Sequence, residues 1–182
     1  MRLTSIQKTL AFGTALLLAV GLTPGSASAQ GTIRIGVTLR MLVENGFKYG
    51  QMTKDELEAV NAAGGINGQK LEVILLDDEC KPDKGVANAN RFIHQNKVHL
   101  IIGSTCSSVT LPLVDIVTKE QVPEIIPHST NTSITQKGSA WVFRTSVAER
   151  FYAAVHAKYL AENAGKKVAY LFTNDGAAIS FV

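Results

Sequence analysis

Ser104-Thr105-Cys106-Ser107-Ser108 stands between an apolar run, Val98–Gly103, and an amphipathic stretch, Thr110–Glu120. Hydroxyls at a strand-to-helix junction lie beside the unpaired N–H groups of a helix start. The partial positive charge there suits a carboxylate or a phosphate. A second polar loop, His128–Ser133, follows the apolar Pro123–Pro127 and offers the hydroxyls of Ser129 and Thr130. The same residues would serve equally as ordinary caps and turn formers. Asp77-Asp78-Glu79, at the end of another apolar run, could hold a divalent cation; a solvated loop is the simpler expectation. Ser107, His128 and Asp115 have the types of a hydrolytic triad, but nothing in their spacing brings them together. The chain has no GxSxG elbow, no GxxxxGK[ST] loop and no GxGxxG, so neither an enzyme nor a bound cofactor is expected.

The two cysteines, Cys80 and Cys106, leave three readings open. An oxidising compartment allows a disulfide, and a reducing one implies free thiols. Zinc is disfavoured, because there is no CxxC pair and His94, His99, His128 and His156 are not at ligand spacing.

The elements that must position these groups alternate. Ile33–Leu39 reads as a β-branched strand. A polar loop follows over 40–50. A helix is expected from Thr53, as N-cap with Glu56 in a capping box, to the glycines Gly64-Gly65. Leu71–Asp77 is the second strand, after a turn at Ile66–Gln69. Asp83 is a candidate cap for a helix through Ile93. Val98–Gly103, the helix Thr110–Glu120 and the strand Pro123–Pro127 follow, then Trp141–Thr145, a helix over Val147–Asn163 and a last strand, Val168–Thr173. Apolar strands alternating with helices predict an α/β fold, a parallel sheet with helices on both faces and right-handed crossovers. Ligands bind such sheets at the carboxyl ends of the strands, where the loops at 40–50, 103–108 and 127–133 fall.

Residues 1–29 read as a signal peptide. Arg2 and Lys8 precede the apolar Leu10–Leu22 and the small-residue end Ala27-Ser28-Ala29. As a helix the apolar run spans about 20 Å, short of the ~30 Å hydrocarbon core. Without that segment, which holds those two basic residues and no acidic one, the formal charge of +3 falls to +1. No basic cluster argues for nucleic acid. At 46% hydrophobic and 18% charged, the remainder is expected to form a packed core.

Ala62-Ala63-Gly64-Gly65-Ile66-Asn67-Gly68, Asp77-Asp78-Glu79-Cys80, Gly103–Ser108 and Pro127-His128-Ser129-Thr130-Asn131 together resemble the leucine/isoleucine/valine-binding proteins of ABC importers. The match in order and spacing runs from about Ile66 through Thr173. The resemblance implies a type I periplasmic binding fold whose two α/β lobes close on a ligand, with a membrane permease as partner and a periplasmic location. It implies a Cys80–Cys106 disulfide. It implies that Ser107 holds an amino acid's carboxylate, that Thr130 contacts its polar head and that His128 contributes a main-chain carbonyl. Tyr49 is matched to an aromatic contact. In domain terms, 1–29 is signal peptide, 30–147 the first lobe and 148–182 the start of a second lobe that is largely absent, as in a truncated or frameshifted copy or a fragmentary gene model. Ala178 stands where a ligand-facing tyrosine is expected. A sensor module of the same fold, without transport, is the alternative function.

Overall fold

The structure, a computed structural model, describes residues 31–41, 44–163, 167–169, 171 and 176–178, with backbone alone over 44–49. The expected signal peptide and the Tyr49 side chain lie outside the described residues.

Five parallel strands form one sheet in the order β2-β1-β3-β4-β5. They are β1 (Ile33–Leu39), β2 (Leu71–Asp77), β3 (Leu100–Gly103), β4 (Glu124–Ile126) and β5 (Val142–Arg144). The helices are α1 (Glu44–Ala62), α2 (Pro82–Asn90), α3 (Ser107–Glu120), α4 (Ser133–Gln136) and α5 (Glu149–Asn163); a π-helical turn, Arg91–Asn96, continues α2. The chain steps from β1 outward to β2, then back across β1 to β3. With right-handed crossovers this puts α1 on one face and α2 to α4 on the other. The strand order reverses between β1 and β3, and the loops after those two strands open a crevice there.

Period-two alternation in β1 sorts the core. Ile35, Val37 and Leu39 face α1 and pack with Leu57, Leu71, Val73, Leu75 and Ile102. On the opposite face Phe92, Ile101, Val114, Val117, Ile126 and Ile134 form the larger cluster, all of them essentially inaccessible to solvent. The two faces are covered unequally. α1 packs chiefly on β2 and β1. Beyond it, Ile102 and Ile125 are only half-buried and Phe143 is 55% exposed, although register places the three side by side. At the carboxyl edge of this uncovered region a cavity of about 610 Å³ opens between Met52, Glu56 and Leu57 of α1 and the strand ends at Leu39, Ile102, Thr105, Pro127 and His128.

Several boundaries differ from expectation. The first helix begins at Glu44, not Thr53, and Thr53 lies in its interior. Gly50, read as a loop residue, is instead a packing residue. A β-carbon there would come within 3.1 Å of the Leu75 side chain, so glycine lets α1 lie close on β2. Asp83 does not cap α2. The cap position belongs to Lys81, Pro82 opens the helix, and Asp83 sits in the first turn, where its charge complements the dipole. α4 was not expected from the sequence. Val168, Ala169 and Leu171 stand outside the sheet, and the other residues of the expected last strand, Tyr170, Phe172 and Thr173, lie outside the described residues. No residue of α5 is buried, and Phe151, Val155 and Tyr159 expose more than half of their surface.

Glu124, the first residue of β4, is fully buried with neither carboxylate oxygen hydrogen-bonded among the described residues. Burial pushes its pKa up to about 8 from an ordinary 4.5. The folded state thus favours the protonated acid. The resulting stability is fully present below about pH 4.5. It shrinks as the unfolded chain ionises, and it is lost as pH rises through about 8. Replacing Glu124 with Gln is expected to raise the thermal midpoint by several degrees at pH 8 and to leave it nearly unchanged at pH 4. Circular dichroism melts across this range check it. Equal midpoints for both chains at pH 8 would contradict the assignment.

Candidate functional site

The site begins with a buried carboxylate. Asp78 follows β2 and is fully buried, not solvated as expected. Its Oδ2 accepts hydrogen bonds from Ser104 Oγ at 2.7 Å and Thr38 Oγ1 at 3.2 Å, and its Oδ1 accepts one from the Cys80 N–H at 2.9 Å. Three segments, the ends of β1, β2 and β3, therefore converge on one side chain. Asp77 holds two more loop amides, those of Met41 and Glu79. Glu79 pairs with Lys81 and Lys84, and the hydrogen bond from Lys84 chiefly holds its carboxyl below the usual range. Each acidic group of this cluster is thus engaged by protein donors. No cluster of three or more His, Cys, Asp or Glu suited to a metal ion is present among the described residues.

Cys80 and Cys106 form a disulfide, with α-carbons 5.6 Å apart. It ties the loop after β2 to the first residue before α3. Cys106 occupies the cap position of α3, with extended backbone and no side-chain cap hydrogen bond. Its sulfur is committed to the disulfide and cannot satisfy the helix start. α3 begins three residues earlier than expected, so Ser107 and Ser108 are its first turn. Val109 and Thr110 donate to the Cys106 carbonyl, whereas the N–H groups of Ser107 and Ser108 find no acceptor among the described residues. The positive end of the helix thus carries two N–H groups without a hydrogen-bond acceptor among the described residues, although Gly176 packs against the Ser108 backbone.

The loop after β4 is docked onto this helix start. Ser129 Oγ donates to the Ser104 carbonyl at 2.8 Å and lies 2.7 Å from Thr110 Oγ1. The Asn131 N–H donates to Ser107 Oγ at 3.2 Å. Ser107 thereby uses one lone pair and keeps its own proton for an acceptor. The loop is held from behind by Arg144, whose guanidinium donates to the Asn131 carbonyl at 2.7 Å, and by the Glu149 N–H on the Thr130 carbonyl at 2.8 Å.

Of the residues singled out from sequence, Ser107 and Thr130 are brought together through Asn131. Ser107 is 4% exposed and Thr130 is half-buried. His128 is exposed and lines the apolar cavity on the α1 face, which neither Ser107 nor Thr130 reaches. Tyr49 lies within α1, not in a loop. The imagined triad is not assembled, since Asp115 is taken by Lys137 at 2.7 Å. Sequence reasoning did not single out Asn131, which bonds to Ser107, Ser133 and Gly176, or Thr38, which caps the Asp78 network. The Asp78–Ser104 pairing carried no local signal.

Two tests follow from this geometry. Removing the Cys80–Cys106 disulfide as a double serine variant should destabilise the fold by roughly 3 kcal/mol, the loop-closure expectation for a loop of this length; denaturant melts would measure it. Asp78→Ala, which strands two buried hydroxyls and an amide, is expected to lower stability by about 2–4 kcal/mol. A change below about 0.5 kcal/mol would mean that the three strand ends do not depend on that carboxylate.

A family model described as "Periplasmic binding protein" matches residues 43–180. The chain is 37% identical over 119 residues to the leucine-, isoleucine-, valine-, threonine-, and alanine-binding protein of Pseudomonas aeruginosa, covering 63% of this chain and 32% of that protein. Among solved structures it is similar to an ABC transporter substrate-binding protein from Desulfitobacterium hafniense in complex with Leu. There the identity is 28% and the TM-score 0.68, over 84% of this chain and 46% of that one. It is similar also to a solute binding protein of an ABC transporter from Rhodopseudomonas palustris in complex with 3,4-dihydroxy benzoic acid. That identity is 26% and the TM-score 0.70, over 82% of this chain and 41% of that one. The chain spans about a third of the length of the curated relatives it matches. With the parallel sheet, the reversal point and the open helix start in place, these matches establish that the chain belongs to the periplasmic binding protein family.

Proposed function

We propose that this chain carries the first lobe of an exported solute-binding protein serving an ABC importer, and that it captures small carboxylates at the start of α3. Residues 30–147 form that lobe, and 148–182 open the second. The observation that carries the reading is the first turn of α3. Its two N–H groups lack acceptors among the described residues, and the Ser107 hydroxyl beside them has a proton to give. An anionic ligand accepts all three donors and gains from the helix dipole. Relatives and neighbours support the chemistry. The ligands printed for them, branched-chain amino acids and a hydroxylated benzoic acid, share a carboxylate and a compact apolar body. Branched-chain amino acids are the first candidates. The apolar cavity lined by Thr105 and His128 offers room for an apolar body at the same carboxyl end of the sheet. α5 buries none of its side chains on this sheet, which supports assigning it to a separate lobe.

Transport requires a membrane permease as partner and a periplasmic location. The reading draws both from the family and from the amino-terminal sequence. A single lobe leaves the ligand half in water, so affinity on the order of millimolar is expected.

Leucine in excess should raise the thermal midpoint of the chain, because a ligand that binds only the folded state must stabilise it. Ser107→Ala should weaken binding by roughly tenfold, the loss of one charge-assisted hydrogen bond. Titration calorimetry on both chains tests this. Unchanged affinity in the alanine variant would remove Ser107 from the site.

A further inference from the structure

Asn131 is buried, and each of its four polar atoms is engaged. Its N–H donates to Ser107 Oγ at 3.2 Å, and its carbonyl accepts from the Arg144 guanidinium at 2.7 Å. Its Oδ1 accepts from the Ser133 N–H at 2.8 Å, which fixes the turn into α4. Its Nδ2 donates to the carbonyl of Gly176, which lies beyond α5 and 45 positions along the chain. A side chain on Gly176 would displace it, because a β-carbon there would stand 2.8 Å from the Ser108 nitrogen. One asparagine thus ties the chain that follows α5 to the loop whose amide holds the site's hydroxyl. None of these contacts takes up the N–H of Ser107 or Ser108.

We infer that Asn131 is a positioning residue of the carboxylate site, one that sets the Ser107 hydroxyl and couples it to the seating of Gly176. This rests on the reading of that site given above. A serine hydroxyl turns freely unless something holds it. By donating to Ser107 Oγ, the Asn131 amide takes one lone pair and leaves the proton for an acceptor on another side. Unheld, a serine in the first turn of a helix turns to water or to a nearby backbone carbonyl, and a ligand must then reorganise it. Held in place beforehand, the hydroxyl costs the ligand less. The Asn131 amide serves in this way only while its own position is fixed. Arg144 and Ser133 fix it from within the lobe, and Gly176 fixes it from the segment read above as the opening of the second lobe. The position of that segment is therefore felt at Ser107 through one side chain. By linkage, a ligand held by Ser107 favours the seated segment as much as the seated segment favours the ligand.

Asn131→Ser keeps an oxygen that can accept from the Ser133 N–H but is too short to reach Gly176. Gly176→Val breaks the same link from the other side. Hydrogen exchange of the residue-131 amide is read first, without ligand. Both variants should exchange roughly tenfold faster there, while β1 amides such as that of Val37 stay protected. Unchanged exchange at residue 131, or equal acceleration in β1, overturns the inference. Leucine affinities from NMR titration then complete a double-mutant cycle with Ser107→Ala. Either variant should bind leucine severalfold more weakly than the unaltered chain, and less than about twofold more weakly once Ser107 is alanine. Equal losses in both backgrounds mean a merely structural residue and overturn the inference while the carboxylate reading stands. Unchanged or tighter binding in either variant does the same. No leucine binding by the unaltered chain overturns the carboxylate reading and the positioning role together.

Discussion

A carboxylate taken out of water must find donors, and Asp78 finds them in β1 and in the loops that follow β2 and β3. Ser104 and Thr38 donate hydroxyls and Cys80 donates an amide. That requirement fixes how the ends of β1, β2 and β3 sit relative to one another at the point where strand order reverses. The disulfide then links the loop after β2 to the cap position of α3, and the Ser129–Ser104 bond brings in the loop after β4. Ser107 and the open helix start are the outermost layer of this arrangement. Their geometry follows from groups that never need to touch a ligand.

The same arrangement explains why a helix start is left unsatisfied. Ser, Thr, Asp or Asn at the cap would ordinarily take up an amide of the first turn. Here the cap position holds Cys106, and its sulfur is spent on Cys80. The covalent link that orders the loop thereby also keeps donors available. The disulfide and the unfilled cap thus meet at one residue, Cys106.

Much of the sheet was legible in the sequence, because β-branched alternation in Ile33–Leu39 and the run Leu71–Asp77 are local signals. Both strands have the expected bounds. The start of α1 was not legible, because Gly46 and Gly50 look like loop residues until a partner strand is close enough to need one of them small. The burial of Asp78 and of Glu124 was equally hidden. Each depends on side chains arriving from strands distant in sequence. The disulfide came from family resemblance, since two cysteines alone left thiols and zinc open. Ser107 and Thr130 were singled out by residue type and resemblance, whereas Asn131 was not, because its hydrogen bonds run from a backbone N–H and a side-chain amide to different segments.

The central claim is that a carboxylate is held by the first turn of α3 and the loop that follows β4. Backbone amide chemical shifts of the full chain, followed through a leucine titration to saturation, test it residue by residue. The account predicts the largest changes at Ser107, Ser108 and Asn131, with smaller ones at Thr130. Saturable changes confined to other regions, with those four amides unmoved, would contradict it.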